Sequence, residues 1–177
     1  MIFLFCIFGK NKYDYGTNSN ISGREISDYE IERNKPLPDF RHSIVQTNLL
    51  FKLGFLYNNH FSILPELNLT MPTGRDAVPD ICIYPKMKID FSNDIESMIE
   101  MPLTTIEIIS PPQTKEVLVS NSKRYFDAGI QSCWIVLPVL KTIILFSDSI
   151  NQQVFTEDMT LIDKITGIEL PLNEVFC

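Results

Sequence analysis

Three residues have the types and spacing to do chemistry together: Asp80, Glu107 and Lys123. Glu107 interrupts the run Thr104-Thr105-Ile106-Glu107-Ile108-Ile109-Ser110, which reads as a buried strand ended by Pro111-Pro112, a pair that neither a helix nor a central strand tolerates. A carboxylate buried in such a strand requires a partner, a metal or a proton. Asp80 opens a second apolar run, Val78-Pro79-Asp80-Ile81-Cys82-Ile83. Strand alternation puts Asp80 on the face of Cys82 and Tyr84, and Glu107 on the face of Thr105 and Ile109. If those faces coincide, both acids point to one spot and can share a divalent cation.

Lys123 reaches that spot by simple geometry. Gln113 to Ala128 has helical spacing and Gly129 stops it. A helix beginning near Thr114 advances about 13 Å to Lys123 at roughly 1.5 Å per residue. Glu107 lies roughly 10 Å back from Ser110 at about 3.3 Å per residue. A crossover helix folding back over the strand therefore brings the ammonium beside the acids.

The remaining elements must hold this cluster. The chain has 177 residues, enough for one domain with a sizeable core, and its 45% apolar and 21% charged residues are ordinary for a globular protein. Arg41 to Leu56 places Ile44, Val45, Leu49, Leu50, Leu53 and Leu56 at helical spacing, which predicts an amphipathic helix on one face of a sheet. His42 sits at its start, where a ligand or phosphate contact competes with a structural hydrogen bond. Phe61 to Met71 reads as a strand paired, through the turn Pro72-Thr73-Gly74-Arg75-Asp76, with the Asp80 strand. It carries Glu66, a third carboxylate that suits either a metal site or an ion pair with Lys123 or Arg75. Pro85 to Pro102 reads as a solvated loop, and Tyr125 and Phe126 as core aromatics. Cys133 to Leu137, Thr142 to Phe146, Gln153 to Phe155 and Thr160 to Ile162 read as further strands, with a turn at Thr166-Gly167 and a closing segment from Leu170 to Phe176.

Composition narrows the partners. A net charge of −7 and the lack of any basic run argue against tight non-specific binding to nucleic acid. Cys6, Cys82, Cys133 and Cys177 have no CxxC spacing, so reduced thiols are expected and zinc is not. The apolar run Met1 to Phe8 is too short to span a bilayer and lacks the flanks of a signal peptide. A cytoplasmic protein with no membrane partner is the expectation. Residues 1–24 are expected to be a disordered extension, and 25–177 a single domain.

In their order these residues resemble the PD-(D/E)XK nuclease superfamily, and within it the Uma-two type of restriction-endonuclease-like proteins. That family's wording is PD, then E-V/I-L-S-P, then K-x-x-x-Y-x-x-x-G-V-x-x-Y/C-W-V-V-x-P. Here stand Pro79-Asp80, Glu107 in TTIEIISP, and Lys123-x-Tyr125 followed by Gly129 and Trp134. The resemblance runs from about Ile26 to Phe176, taking in Lys35-Pro36-Leu37-Pro38 with His42, and Leu64-Pro65-Glu66-Leu67. One departure stands out: the superfamily's usual lysine slot, two residues after the acid, holds Ile109. The resemblance therefore carries the lysine's role to Lys123 on the following helix.

The resemblance implies an α/β fold, a restriction-endonuclease-like mixed sheet flanked by helices. It implies Mg²⁺ or Mn²⁺ held by Asp80, Glu107 and the carbonyl of Ile108, with Lys123 completing the catalytic set. Glu66 and His42 are the additional candidates. The substrate would be DNA, and a homodimer would present two sites to its two strands. Two other readings stay open: a binding module that kept the fold without the activity, and a scaffold in which Glu107 and Lys123 form a structural ion pair.

Overall fold

A computed structural model of the protein describes residues 37–88, 90–92, 95–109 and 122–177. The expected N-terminal extension, residues 25–36 of the expected domain, and the whole segment 110–121, with the Ser110 end expected for the Glu107 strand, lie outside them.

The architecture is α/β. Helix α1, Phe40–Tyr57, is followed by strands β1 Phe61–Pro65, β2 Ile81–Pro85, β3 Thr104–Ile108, β4 Ser132–Leu137, β5 Thr142–Phe146 and β6 Gln152–Thr156. These six strands form one mixed sheet in the order β1-β2-β3-β4-β5-β6. Neighbours are antiparallel except β3 and β4, which run parallel, with Glu107 opposite Ile135. A parallel pair cannot be joined by a tight turn, so the chain between them must cross over. Residues 122–127 of that crossover are helical, and Gly129 ends them at φ 98°, a conformation that favours glycine. A second, two-stranded antiparallel sheet pairs β7, Thr160–Asp163, with β8, Ile168–Pro171.

The pleat divides the core in two. Ile81, Ile83, Ile106, Ile108, Trp134 and Val136 face Val45, Leu49 and Leu53 of α1, together with Leu161, Ile168 and Leu170 of the small sheet. On the other face Cys82, Tyr84, Cys133 and Ile135 pack with Tyr125 and Ile130 from the crossover, and with Leu69 and Met71. β3 is buried along its whole length, as a strand covered on both faces must be.

The expected strand from Phe61 to Met71 is half that long. β1 stops at Pro65, whose missing N–H ends the ladder, and Glu66 then turns the backbone at φ 51°. Beyond the turn, Leu69 is held by single bridges to Ala77 and Met98. The Asp80 strand also starts later than its apolar pattern implies, at Ile81, so Asp80 stands at its threshold. The loop expected from Pro85 begins one residue later, since Pro85 ends β2; from Lys86 to Pro102 there is neither helix nor named strand among the described residues.

Candidate active site

One edge of the sheet gathers the acids. The β2–β3 register pairs Cys82 with Thr105 and Ile81 with Ile106, and one further step sets Asp80 across from Glu107. Because residues paired across a ladder share a face, the two alternation patterns coincide and both acids lie on the side of Cys82 and Thr105. Asp80 is 1% exposed and Glu107 4%. The Oδ2 of Asp80 accepts a 2.6 Å hydrogen bond from the backbone N–H of Ile108, which ties the first acid to the residue after the second. Ile109 donates its N–H the other way, to Val136 on β4, so the main-chain groups of Ile108 face the β2 side.

Helix α1 closes this edge with its first turn. Asp39 caps the helix by accepting from the N–H of His42 at 2.8 Å, which fixes the start of the helix and so the height of His42. The imidazole is buried, with Nε2 3.7 Å from Oδ1 of Asp80. One turn later Gln46 donates from Nε2 to the Asp80 carbonyl at 3.1 Å. His42 thus stands next to the site, its imidazole beside Asp80. The signal for Gln46 was its spacing, four residues after His42 on the same helix face.

Glu66 is a neighbour by backbone, its N–H donating to the Asp80 carbonyl at 3.2 Å, while its side chain is exposed. Its positive φ is uncommon for a residue with a Cβ. The three acids therefore stand in a row across β1, β2 and β3, two of them buried.

Lys123 does not join them. It is exposed and, among the described residues, makes no ion pair with Asp80 or Glu107. Among the described residues of this helix, Tyr125, 4% exposed, reaches Glu107, its hydroxyl donating to Oε1. Helical rotation gives the reason. Residues two apart point to nearly opposite sides, whereas residues four apart share a face. The family wording sets its lysine four positions before the tyrosine, which here is Asn121, outside the described residues, while Lys123 is two before and turns outward. The structural ion pair between Glu107 and Lys123 is likewise absent from the described residues.

Burial and the Glu107 carboxylate, in that order, push the Tyr125 hydroxyl well above its ordinary range. Burial also raises Tyr84, whose hydroxyl donates to the Glu100 carbonyl, and pushes the Cys133 thiol up to about 12. Near neutral pH these groups hold their protons folded or unfolded and add no pH dependence. Above about pH 8, where the unfolded Cys133 thiol ionises ahead of the tyrosines, the unfolded chain loses protons that the folded chain keeps, so stability must fall as pH rises. Urea midpoints should be nearly level from about pH 7 to 7.5 and drop steadily between roughly pH 8 and 11. A flat profile across that range would contradict the burial of these groups.

The site's donor set fits a hard cation. No three His, Cys, Asp or Glu side chains among the described residues stand close enough to hold an ion by themselves. Two carboxylates beside a backbone carbonyl are instead the partial set that Mg²⁺ takes when waters and substrate oxygens complete its shell. An open depression of about 510 Å³ lined by Val139, Leu140, Lys141, Thr156, Glu157 and Asp158 contains neither acid. It lies on the same sheet edge, beyond β4. No helix among the described residues is long and apolar enough to cross a membrane.

Comparison with known proteins gives the family and the fold. The model of the Uma2 family, described as "Putative restriction endonuclease", matches residues 23–173. No curated protein matches the sequence. A crystal structure of "a putative nuclease belonging to DUF820" from Anabaena variabilis superposes with a TM-score of 0.68 at 21% identity, over 80% of this chain and 83% of that one. At that identity the likeness speaks for the fold, which is the restriction-endonuclease-like α/β fold.

Proposed function

We propose, from the premise that this chain belongs to the Uma2 family of restriction-endonuclease-like proteins, that it is a divalent-metal-dependent endonuclease acting on the phosphodiester bonds of DNA. The observation that carries this reading is the pair of buried carboxylates, Asp80 and Glu107, set across the β2–β3 register with Asp80 anchored on the N–H of Ile108. Asp80, Glu107 and the Ile108 carbonyl would hold Mg²⁺ or Mn²⁺, which when bound would lower the pKa of a water and offset charge on the phosphate oxygens.

The chain's own residues do the rest. Tyr125 donates to Oε1 of Glu107 and orients that carboxylate, and His42 with Gln46 holds Asp80 at the threshold of β2. Lys123, on the solvent side of its helix, meets the phosphate of arriving substrate. Glu66 sits at the rim as the acid available to a further water. Two-fold pairing of the chain would offer one site to each DNA strand.

Nicking of supercoiled plasmid in Mg²⁺ or Mn²⁺ tests the reading. Activity should vanish in Glu107→Gln and fall about 10–100-fold in Tyr125→Phe, the usual cost of losing a group that orients a metal ligand. Lys123→Ala should cut activity while leaving metal binding intact. Parental cleavage by Lys123→Ala would remove that residue from the mechanism. The second reading, a nuclease fold that binds without cutting, draws on Ile109 in the usual lysine slot, the outward turn of Lys123 and the net charge of −7. Metal binding without nicking would favour it.

A further inference from the structure

Helix α1 is apolar on both sides. Val45, Leu49 and Leu53 are buried against the sheet, yet on the opposite side Phe40, Phe51 and Phe55 are 81%, 65% and 76% exposed and Ile44 is 39% exposed. At about 100° per residue these four fall within an arc of about 60°, a single stripe roughly 22 Å long at about 1.5 Å per residue. Phe51 and Phe55 stack on each other, with ring centroids 6.3 Å apart. Isolated exposed apolar residues are ordinary, whereas two apolar pairs on one helix face, separated by the exposed Thr47, mark a surface that meets something.

The spacing says what. Phe40 and Ile44 are four residues apart, as are Phe51 and Phe55, and the two pairs are arranged symmetrically about the midpoint between Thr47 and Asn48. A two-fold axis at that midpoint, with helices antiparallel, sets Phe40 against Phe55 of the partner subunit and Ile44 against Phe51 of the partner subunit. Self-complementarity is the condition a two-fold interface must satisfy. The charges beside the stripe are matched within their own protomer, Arg41 with Asp39 at 3.6 Å and Lys52 with Glu174 at 2.7 Å, so none is left to oppose the pairing. With about 200 Å² per phenylalanine, the three exposed rings offer roughly 450 Å² per copy. Two copies then bury roughly 900 Å² before Ile44 is added, close to the about 1,000 Å² expected of a specific interface.

We infer that a second copy of this chain covers the stripe, forming an antiparallel α1–α1 dimer in which Phe51 packs on Ile44 of the partner subunit. Sedimentation equilibrium of the full chain at micromolar concentration should give a dimer. Phe51→Glu and Ile44→Lys should each be monomeric, with the parent's melting temperature once the parent is diluted to monomer, because both positions are exposed in the single protomer. Mixed together, the two variants should recover a heterodimer, since the antiparallel register restores one Ile–Phe contact and makes the other Glu–Lys. A monomeric parent overturns the inference and gives the stripe to another cover, the chain's own Met1 to Phe8 run or a different protein. Variants that remain dimeric, or monomeric variants that do not recover on mixing, overturn it as well.

Discussion

Mg²⁺ or Mn²⁺ at millimolar concentration should raise the melting temperature of this protein, and Asp80→Asn should abolish the rise, whether or not a DNA substrate is found. An ion that binds only the folded chain stabilises it by about 2.7 kcal/mol at a hundred times its dissociation constant. A domain of this size gains about 2–4 °C per kcal/mol, so the shift should be roughly 5–10 °C. The pairing of Asp80 with Glu107 exists only when β2 and β3 are in register, which is why the unfolded chain offers no competing site. Asparagine can still accept the N–H of Ile108 that Asp80 holds, so the metal-free variant should melt close to the parent. Lys123→Ala should shift with metal as the parent does, because Lys123 lies on the solvent side of its helix. Thermal unfolding of the three proteins with and without metal is the measurement. A parent that does not respond to either ion would sink the metal site, independently of any assay on DNA.

Asp163→Ala should be among the most destabilising single changes in the chain. Asp163 ends β7 and is fully buried. Its Oδ2 accepts from Ser132 Oγ at 2.7 Å and from Trp134 Nε1 at 2.9 Å, and its Oδ1 accepts from the N–H of Ile165 at 2.9 Å. Ser132 Oγ in turn lies 2.6 Å from Thr104 Oγ1, so one carboxylate joins the small sheet to β3 and β4. Removing it strands donors where water cannot reach them. Each unsatisfied group costs about 1–3 kcal/mol, and with partial relaxation the total should be about 3–5 kcal/mol, or roughly 6–20 °C in melting temperature. Trp134 is the one tryptophan in the chain, so its emission reports on the network directly. A loss below about 1 kcal/mol would mean that the carboxylate does not link the two sheets energetically.

What the sequence by itself determined was local and periodic. Alternation along Asp80-Ile81-Cys82 and Thr105-Ile106-Glu107 put each acid on a definite face, and the β2–β3 register then joined those faces, because strand period carries side-chain direction without knowledge of the neighbour. The helix expected over Arg41 to Leu56 forms as Phe40–Tyr57 for the same reason. Thr142 to Phe146 was legible to the residue.

Tertiary structure decided the rest. Counting residues along the crossover could estimate how far Lys123 lies from the end of β3, but the rotation of its helix is set by which side chains fit beneath it. Ser122 and Tyr125 are buried there and Lys123 is turned out. Length is a property of the segment, whereas rotation depends on what it covers. Glu66 left the strand pattern because Pro65 ended the ladder and the chain had to turn. Asp163 carried no local sign at all: its partners Ser132 and Trp134 are about thirty residues away in sequence, and only the docking of the small sheet on β4 turns an ordinary acid in a short strand into a buried junction.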